Sequence, residues 1–208
     1  MAVKLDIKAD IVNTRFDKPK HSDVFFVDTN VWYWITYSNA SHTAKYSQVT
    51  DYMTYLGKLR SVSSKLVRCN LTLAELAHII EDTEFKIFCD IRGFNPEKYS
   101  KKEFRHNFQL NREKVVKEIE SSWIQVEQFS TDSPLLIDNA ATTAFLSDIK
   151  THKLDGYDLF YLDAIRKNGL QILTDDRDFA TVPGITVFTA NQSVIDEART
   201  CNKLKIRP

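Results

Sequence analysis

Residues 158–179 read DLFYLDAIRKNGLQILTDDRDF. Asp158 lies at the start of a helix predicted over about 157–168, and Gly169 is a good stop for it, since glycine readily takes the left-handed conformation that closes helices. Residues 170–174 follow as an apolar strand, with Asp176 and Asp178 directly after it. The same alternation runs through the rest of the chain. Val24–Val27 (VFFV) is a short run of strand formers ending at Asp28, and residues after Asn30 turn helical, with Val31, Trp34 and Ile35 at helical spacing. A helix is expected from about 43 to 60 with Val49, Met53 and Leu56 on its apolar face. A strand is expected at 65–69 and a helix from about Thr72. Residues 100–121 read as a basic amphipathic helix with Phe104, Phe108, Val115 and Ile119 inside, residues 124–129 alternate like a strand, and a helix is expected at about 134–149. Residues 185–189 close the pattern as a strand. Alternating strands and helices predict an α/β sandwich around a mainly parallel sheet, with helices on both faces.

The chain has 208 residues, 43% hydrophobic and 27% charged, which excludes intrinsic disorder and is long enough for a core without staples. No repeat, low-complexity tract or linker divides it, so one domain is expected over 22–208, preceded by an extension at 1–21. Cys69, Cys89 and Cys201 cannot form a complete disulfide framework and include no C-x-x-C pair. The N-terminus carries charges where a signal peptide needs its apolar centre, and no run approaches the ~18 apolar residues of a membrane span. A cytoplasmic protein with no membrane partner is the expectation.

Net charge is zero, but its distribution is uneven. Between Lys98 and Lys117 stand seven basic residues against Glu103 and Glu113, and the last ten residues add Arg199, Lys203, Lys205 and Arg207 with no acid. These segments hold eleven of the 28 basic residues but two of the 28 acidic ones, leaving the remainder acidic. Such a pattern suits a polyanion held beside an acidic site, with Lys101, Lys102 and Arg105 as candidate nucleic-acid contacts. A solvated helix face and a loose tail is the plainer alternative.

The acids Asp28, Glu75, Asp158 and Asp176 share one local context, strand end or helix start. In an open α/β sheet those positions gather at one edge, where ligands bind. Each also has an ordinary reading: Thr72-x-x-Glu75 fits a capping box, Asp155 with Asp158 fits an acidic helix start, and Asp28 and Asp176 fit N-caps. Carboxylates brought together would instead repel and take up protons unless a cation neutralised them. Their hard oxygens suit Mg²⁺ or Mn²⁺ and, with it, attack of water on a phosphodiester.

Three blocks in order, VDTNV (27–31), LTLAEL (71–76) and the segment quoted first, give the chain a specific likeness. Over roughly residues 23–191 it resembles the PIN-domain nucleases, the fold of VapC-type toxin ribonucleases and many RNA-processing enzymes. The resemblance implies a PIN-like three-layer sandwich and a metal-dependent ribonuclease acting on RNA, with DNA as a further candidate substrate. It implies that Asp28, Glu75, Asp158 and Asp176 form the acidic quartet, with Asp28, Asp158, Asp176 and the auxiliary Asp178 as metal ligands. Glu75 would orient or deprotonate the attacking water, and Asn30 and Thr174 would orient the metal-bound groups. Asp175 is expected on the opposite face of its segment and outside the site. An antitoxin or other protein partner is the candidate the likeness suggests, and a homodimer is a further candidate that the sequence alone does not decide.

Departures bear on the toxin role more than on the chemistry: Asp163 stands where the family carries a small or apolar residue, and the extension and the basic helical insertion near 81–120 lengthen the chain. Two rival readings stand beside the nuclease. One is a non-catalytic PIN-like binding or assembly module. The other is a different Mg²⁺-dependent phosphohydrolase, although Asp28-Thr29-Asn30 lacks the D-x-D-x-T of the haloacid dehalogenases. Glu75-x-x-His78 has no second E-x-x-H to make a di-iron site. Trp32, Tyr33 and Trp34 are candidates for base stacking, with packing favoured for Trp34.

Overall fold

The computed structural model describes residues 5–133 and 138–207. Its strands are β1 (Asp10–Asn13), β2 (Val24–Val27), β3 (Lys65–Arg68), β4 (Thr131–Asp132), β5 (Gln171–Leu173), β6 (Thr186–Thr189) and β7 (Leu204–Lys205). They form one sheet in the order β4-β3-β2-β5-β6-β1-β7, and every pairing among the described residues is parallel. The helices are α1 (Thr29–Thr36), α2 (Tyr46–Ser61), α3 (Asn70–Arg92), α4 (Lys101–Asn107), α5 (Gln109–Phe129), α6 (Asn139–Asp148), α7 (Gly156–Asn168) and α8 (Gln192–Thr200).

Period-two alternation in the strands divides the interior into two cores. Phe26, Ile172, Val187 and Ile11 face one side, where Leu159, Leu162 and Ile165 of α7 and Val194 and Ala198 of α8 cover them. Phe25, Leu173, Phe188 and Val12 face the other side, under Val31 and Trp32 of α1, Tyr52 and Leu59 of α2, Leu76 and Ile80 of α3, and Val126 of α5. Each fully buried side chain of this kind contributes about 1.5–3 kcal/mol. The α/β sandwich with helices on both faces is therefore built by strands that bury both of their sides.

Several expectations are corrected. Residues 5–21 of the expected extension at 1–21 are part of the fold: Leu5, Ile7, Ala9 and Ile11 are buried, and β1 lies between β6 and β7. Residues 124–129 are the last turns of α5, because Val115, Ile119, Ser122 and Val126 make a continuous inward stripe, whereas Ile124 is exposed. The inner face of α2 is Tyr52, Tyr55, Leu56 and Leu59 rather than Val49 and Met53, since tyrosine rings supply most of its buried surface. Residues 134–137 of the helix expected at 134–149 lie outside the described residues, and the helix present is α6.

The segment around 81–120 carries a small core of its own: Phe85, Phe88 and Cys89 of α3 pack against Phe104 of α4 and Val115 of α5. The C-terminal segment is not loose. Arg207 forks onto Asp17 at 2.8 and 2.6 Å, reaches Asp23 at 2.8 Å and stacks over the Phe188 ring. Among the described residues, no helix is long and apolar enough to cross a membrane.

Candidate active site

The chain leaves β2 toward β3 on one side and β5 toward β6 on the other, so the gap between the carboxyl ends of β2 and β5 is where an open sheet binds ligands. Asp28 is the first residue past β2. Its backbone N–H donates to Leu173 O at 3.0 Å, which seats it beside the end of β5, and its carboxylate accepts the Asn30 N–H as the N-cap of α1. The other oxygen of Asp28 accepts the hydroxyl of Thr174, and Thr174 Oγ1 in turn accepts the Asp176 N–H at 2.8 Å. Asp176 then turns the chain by accepting the Asp178 N–H at 2.7 Å, just ahead of the 3₁₀ turn Asp178–Thr181.

Glu75 arrives from α3. That helix is capped at Cys69, with Thr72 completing the box, so Glu75 lies in the second turn and does not cap. Its Oε2 accepts the hydroxyls of Thr29 at 2.5 Å and Tyr161 at 2.7 Å. Asp158 comes from the first turn of α7, whose N-cap is the exposed Asp155, accepting from the Tyr157 and Asp158 N–H groups. The capping reading thus holds for Asp28 and Asp155 and fails for Glu75.

Asp28 and Asp158 are 2% and 7% exposed, low values for carboxylates. Burial above all, then the charges of Glu75 and Asp176, push the Asp28 carboxyl up to about 7, against the Thr174 hydrogen bond that lowers it. Burial and the carboxylates of Asp28, Asp155, Asp176 and Glu75 push Asp158 up to about 9. Burial also raises Glu75, with Asp155 and Asp176 adding to it, and raises Asp178, with Asp176 the next cause. Among the described residues, none of the leading influences on Asp28, Glu75 or Asp158 is a cation.

The acids therefore feel one another's charge, yet among the described residues no three carboxylate, imidazole or thiol side chains stand close enough together to hold a metal ion as placed. The donor chemistry fits a hard divalent cation: the groups are carboxylates, two are buried, and neutralisation would relieve their mutual repulsion.

Thr174 hydrogen-bonds Asp28, while Asn30 contributes a backbone N–H to Asp28 at 3.4 Å and lines a shallow depression with Tyr33, Thr43 and Lys86. Asp175 points away, accepting from Tyr52 and Gln48. Trp32 and Tyr33 are buried and cannot stack on bases; Trp34 packs half-buried against Tyr52. His78 is exposed and faces Asp82. The basic stretch is largely neutralised by α3: Lys101 pairs with Asp82, Arg105 and Arg112 with Glu81, and Lys114 with Glu84, leaving Lys102 exposed on α4. Sequence reasoning missed Thr29 and Tyr161. The signal for Tyr161 was its place one turn beyond Asp158, on the same helix face.

The sequence profile of the PIN domain matches residues 25–185. The chain belongs to the PIN-domain family. Among solved structures, a chain of VapBC2 from Rickettsia felis, bound to a DNA fragment from its promoter, is similar with a TM-score of 0.48 and 11% identity, over 80% of this chain and 98% of that one. No curated protein matches.

Proposed function

We propose that this chain is a Mg²⁺- or Mn²⁺-dependent endoribonuclease that hydrolyses RNA phosphodiester bonds, with DNA a further candidate substrate. The observation that carries the reading is the set of Asp28, Glu75, Asp158 and Asp176 acting electrostatically on one another at the carboxyl edge of β2 and β5, with no cation among the leading influences on the first three. Asp28, Asp158, Asp176 and Asp178 would hold the metal. When bound, it supplies Lewis acidity that acidifies water and offsets charge on the phosphorus oxygens. Glu75, raised above the ordinary carboxylate range and oriented by Thr29 and Tyr161, is suited to take the proton of the attacking water. Asp28→Asn and Asp176→Asn are each expected to abolish cleavage with the fold intact; retained activity in both would contradict the assignment.

A cytoplasmic toxin held by a small antitoxin is the cellular role the family suggests. Co-purification of a small partner that blocks cleavage supports it, and uninhibited activity with no such partner counts against it. The non-catalytic module is favoured by one observation, the lack of a preassembled three-ligand group among the described residues. Calorimetric titration with Mn²⁺ separates the two: binding that Asp28→Asn abolishes supports the nuclease, and no binding supports the module.

A further inference from the structure

Proteins hold single-stranded RNA through aromatic side chains on which its unstacked bases lie, as well as through cations along its backbone. The rings of α1 are engaged elsewhere: Trp32 and Tyr33 are buried, and Trp34 packs against Tyr52. A different aromatic surface stands beside Asp158. There, a pocket of about 350 Å³ has a lining that includes Leu71, Phe145, Asp155, Gly156, Tyr157 and Phe160. Its size falls within the roughly 300–1,000 Å³ of small-ligand sites.

Three helices build this pocket, and two of them tie it to the acid cluster. Leu71 lies one turn ahead of Glu75 on α3, and Tyr157 lies one turn ahead of Tyr161 on α7. Glu75 and Tyr161 meet at 2.7 Å, so the two lining residues flank one contact of the site. Tyr157 is also the immediate neighbour of Asp158, and the charge of Asp155 acts on both Glu75 and Asp158. The rings are set for stacking. Phe145 of α6 and Phe160 of α7 stack with centroids 4.8 Å apart and planes 30° from parallel, both half-buried. Tyr157, on the same face of α7 as Phe160, is 46% exposed. Gly156 beside it has open space where a side chain would stand, which keeps the approach to the ring clear.

We propose that this pocket is a nucleobase subsite, in which one unstacked base of single-stranded RNA, next to the phosphate at the acid cluster, stacks on Tyr157 over a floor of Phe145 and Phe160. The proposal rests on the nuclease reading for the identity of the ligand. A subsite of this kind takes any base, because every base has a π-face.

The test is fluorescence anisotropy of end-labelled single-stranded RNA binding to the full chain carrying Asp176→Asn, which prevents cutting. The RNA is intact or has a single abasic nucleotide moved along it. Tyr157→Ala is expected to weaken binding of the intact RNA by roughly 5- to 150-fold, the worth of one base on an aromatic ring, and Tyr157→Trp to restore it. At one position, the abasic RNA is expected to lose the same affinity on the unmutated Tyr157 background and to lose no more with Tyr157→Ala, because both changes remove one contact. The slope of log affinity against log salt should stay unchanged in Tyr157→Ala, since stacking releases no counterions. Alanine is the better helix former in this first turn, so lost affinity is not lost folding, and Leu146→Ala, at an exposed position on α6, should bind as before. Native affinity in Tyr157→Ala, or losses that add at every abasic position, would overturn the proposal; either result would make the rings an apolar patch for a protein partner instead. No RNA binding at all would overturn it too. Cleavage by the unmutated chain with Mg²⁺ or Mn²⁺ is scored separately. Cutting with native affinity in Tyr157→Ala removes the subsite and leaves the nuclease, and coincident losses without cutting under either metal remove the nuclease and leave the subsite.

Discussion

Thr174 donates its hydroxyl to the Asp28 carboxylate, tying together the carboxyl ends of two adjacent parallel strands, β2 and β5. The same oxygen accepts the Asp176 N–H, so one buried hydroxyl positions two of the acids. Thr174→Val keeps the branched shape and removes both bonds. Urea denaturation is expected to show a loss of about 1–3 kcal/mol, the cost of leaving buried polar groups unpaired. Cleavage should fall with it, and Thr174→Ser should restore both. A valine variant with native stability and rate would contradict this role.

The raised carboxyls make stability depend on pH in a defined direction. Asp28 and Asp158 are pushed up to about 7 and about 9 from a starting value of 3.8, so between about pH 4 and pH 9 the folded state binds more protons than the unfolded state. Stability therefore falls as pH rises through that window. Thermal melts in EDTA are expected to show a lower midpoint at pH 8.5 than at pH 6, with the difference reduced in Asp158→Asn. Saturating Mn²⁺ should raise the pH 8.5 midpoint, because a ligand bound by the folded state alone stabilises it. A midpoint that rises with pH in EDTA would contradict the assignment.

The legible parts of this molecule were those in which a short local pattern determines the outcome. VFFV before Asp28, Gly169 closing α7 at φ 59°, and QIL before Thr174 and Asp176 are each local, and together they place the acids at one sheet edge. β1 was not legible because DIVN is four residues whose pairing partners, β6 and β7, lie at the opposite end of the chain. The end of α5 misread as a strand because Ile124 and Val126 alternate over a short window, while the helical stripe needs Val115 and Ile119 to be seen. The pairing of the basic stretch was not legible for a related reason: net charge along a segment takes no account of acids on a neighbouring helix, and Glu81 and Glu84 of α3 are buried against it.

Tyr161 and Thr29 both donate to Glu75, and hydrogen bonds to an ionised carboxylate favour its charged form. Removing one with Tyr161→Phe should raise the Glu75 pKa. A base must be ionised to act, so the ascending limb of the pH–rate profile is expected to move to higher pH, with kcat at pH 7 falling more than KM changes. An unshifted limb would show that Tyr161 only packs.

Arg207 closes a buried ion-pair network with Asp17 and Asp23, and Asp17 also accepts the Tyr55 hydroxyl at 2.6 Å. Both aspartates are buried, so Arg207→Ala leaves them without their countercharge and is expected to cost about 3–5 kcal/mol in urea denaturation. A loss under about 1 kcal/mol, the range of an exposed pair, would contradict the clamp.

The central claim is tested most directly by incubating the chain with a panel of RNA and single-stranded DNA oligonucleotides in Mg²⁺ or Mn²⁺, beside an EDTA control and Asp176→Asn. The account predicts internal cleavage that requires the metal and that Asp176→Asn loses. Cleavage that persists equally in EDTA or in Asp176→Asn, or no cleavage of any oligonucleotide with either metal, would contradict it.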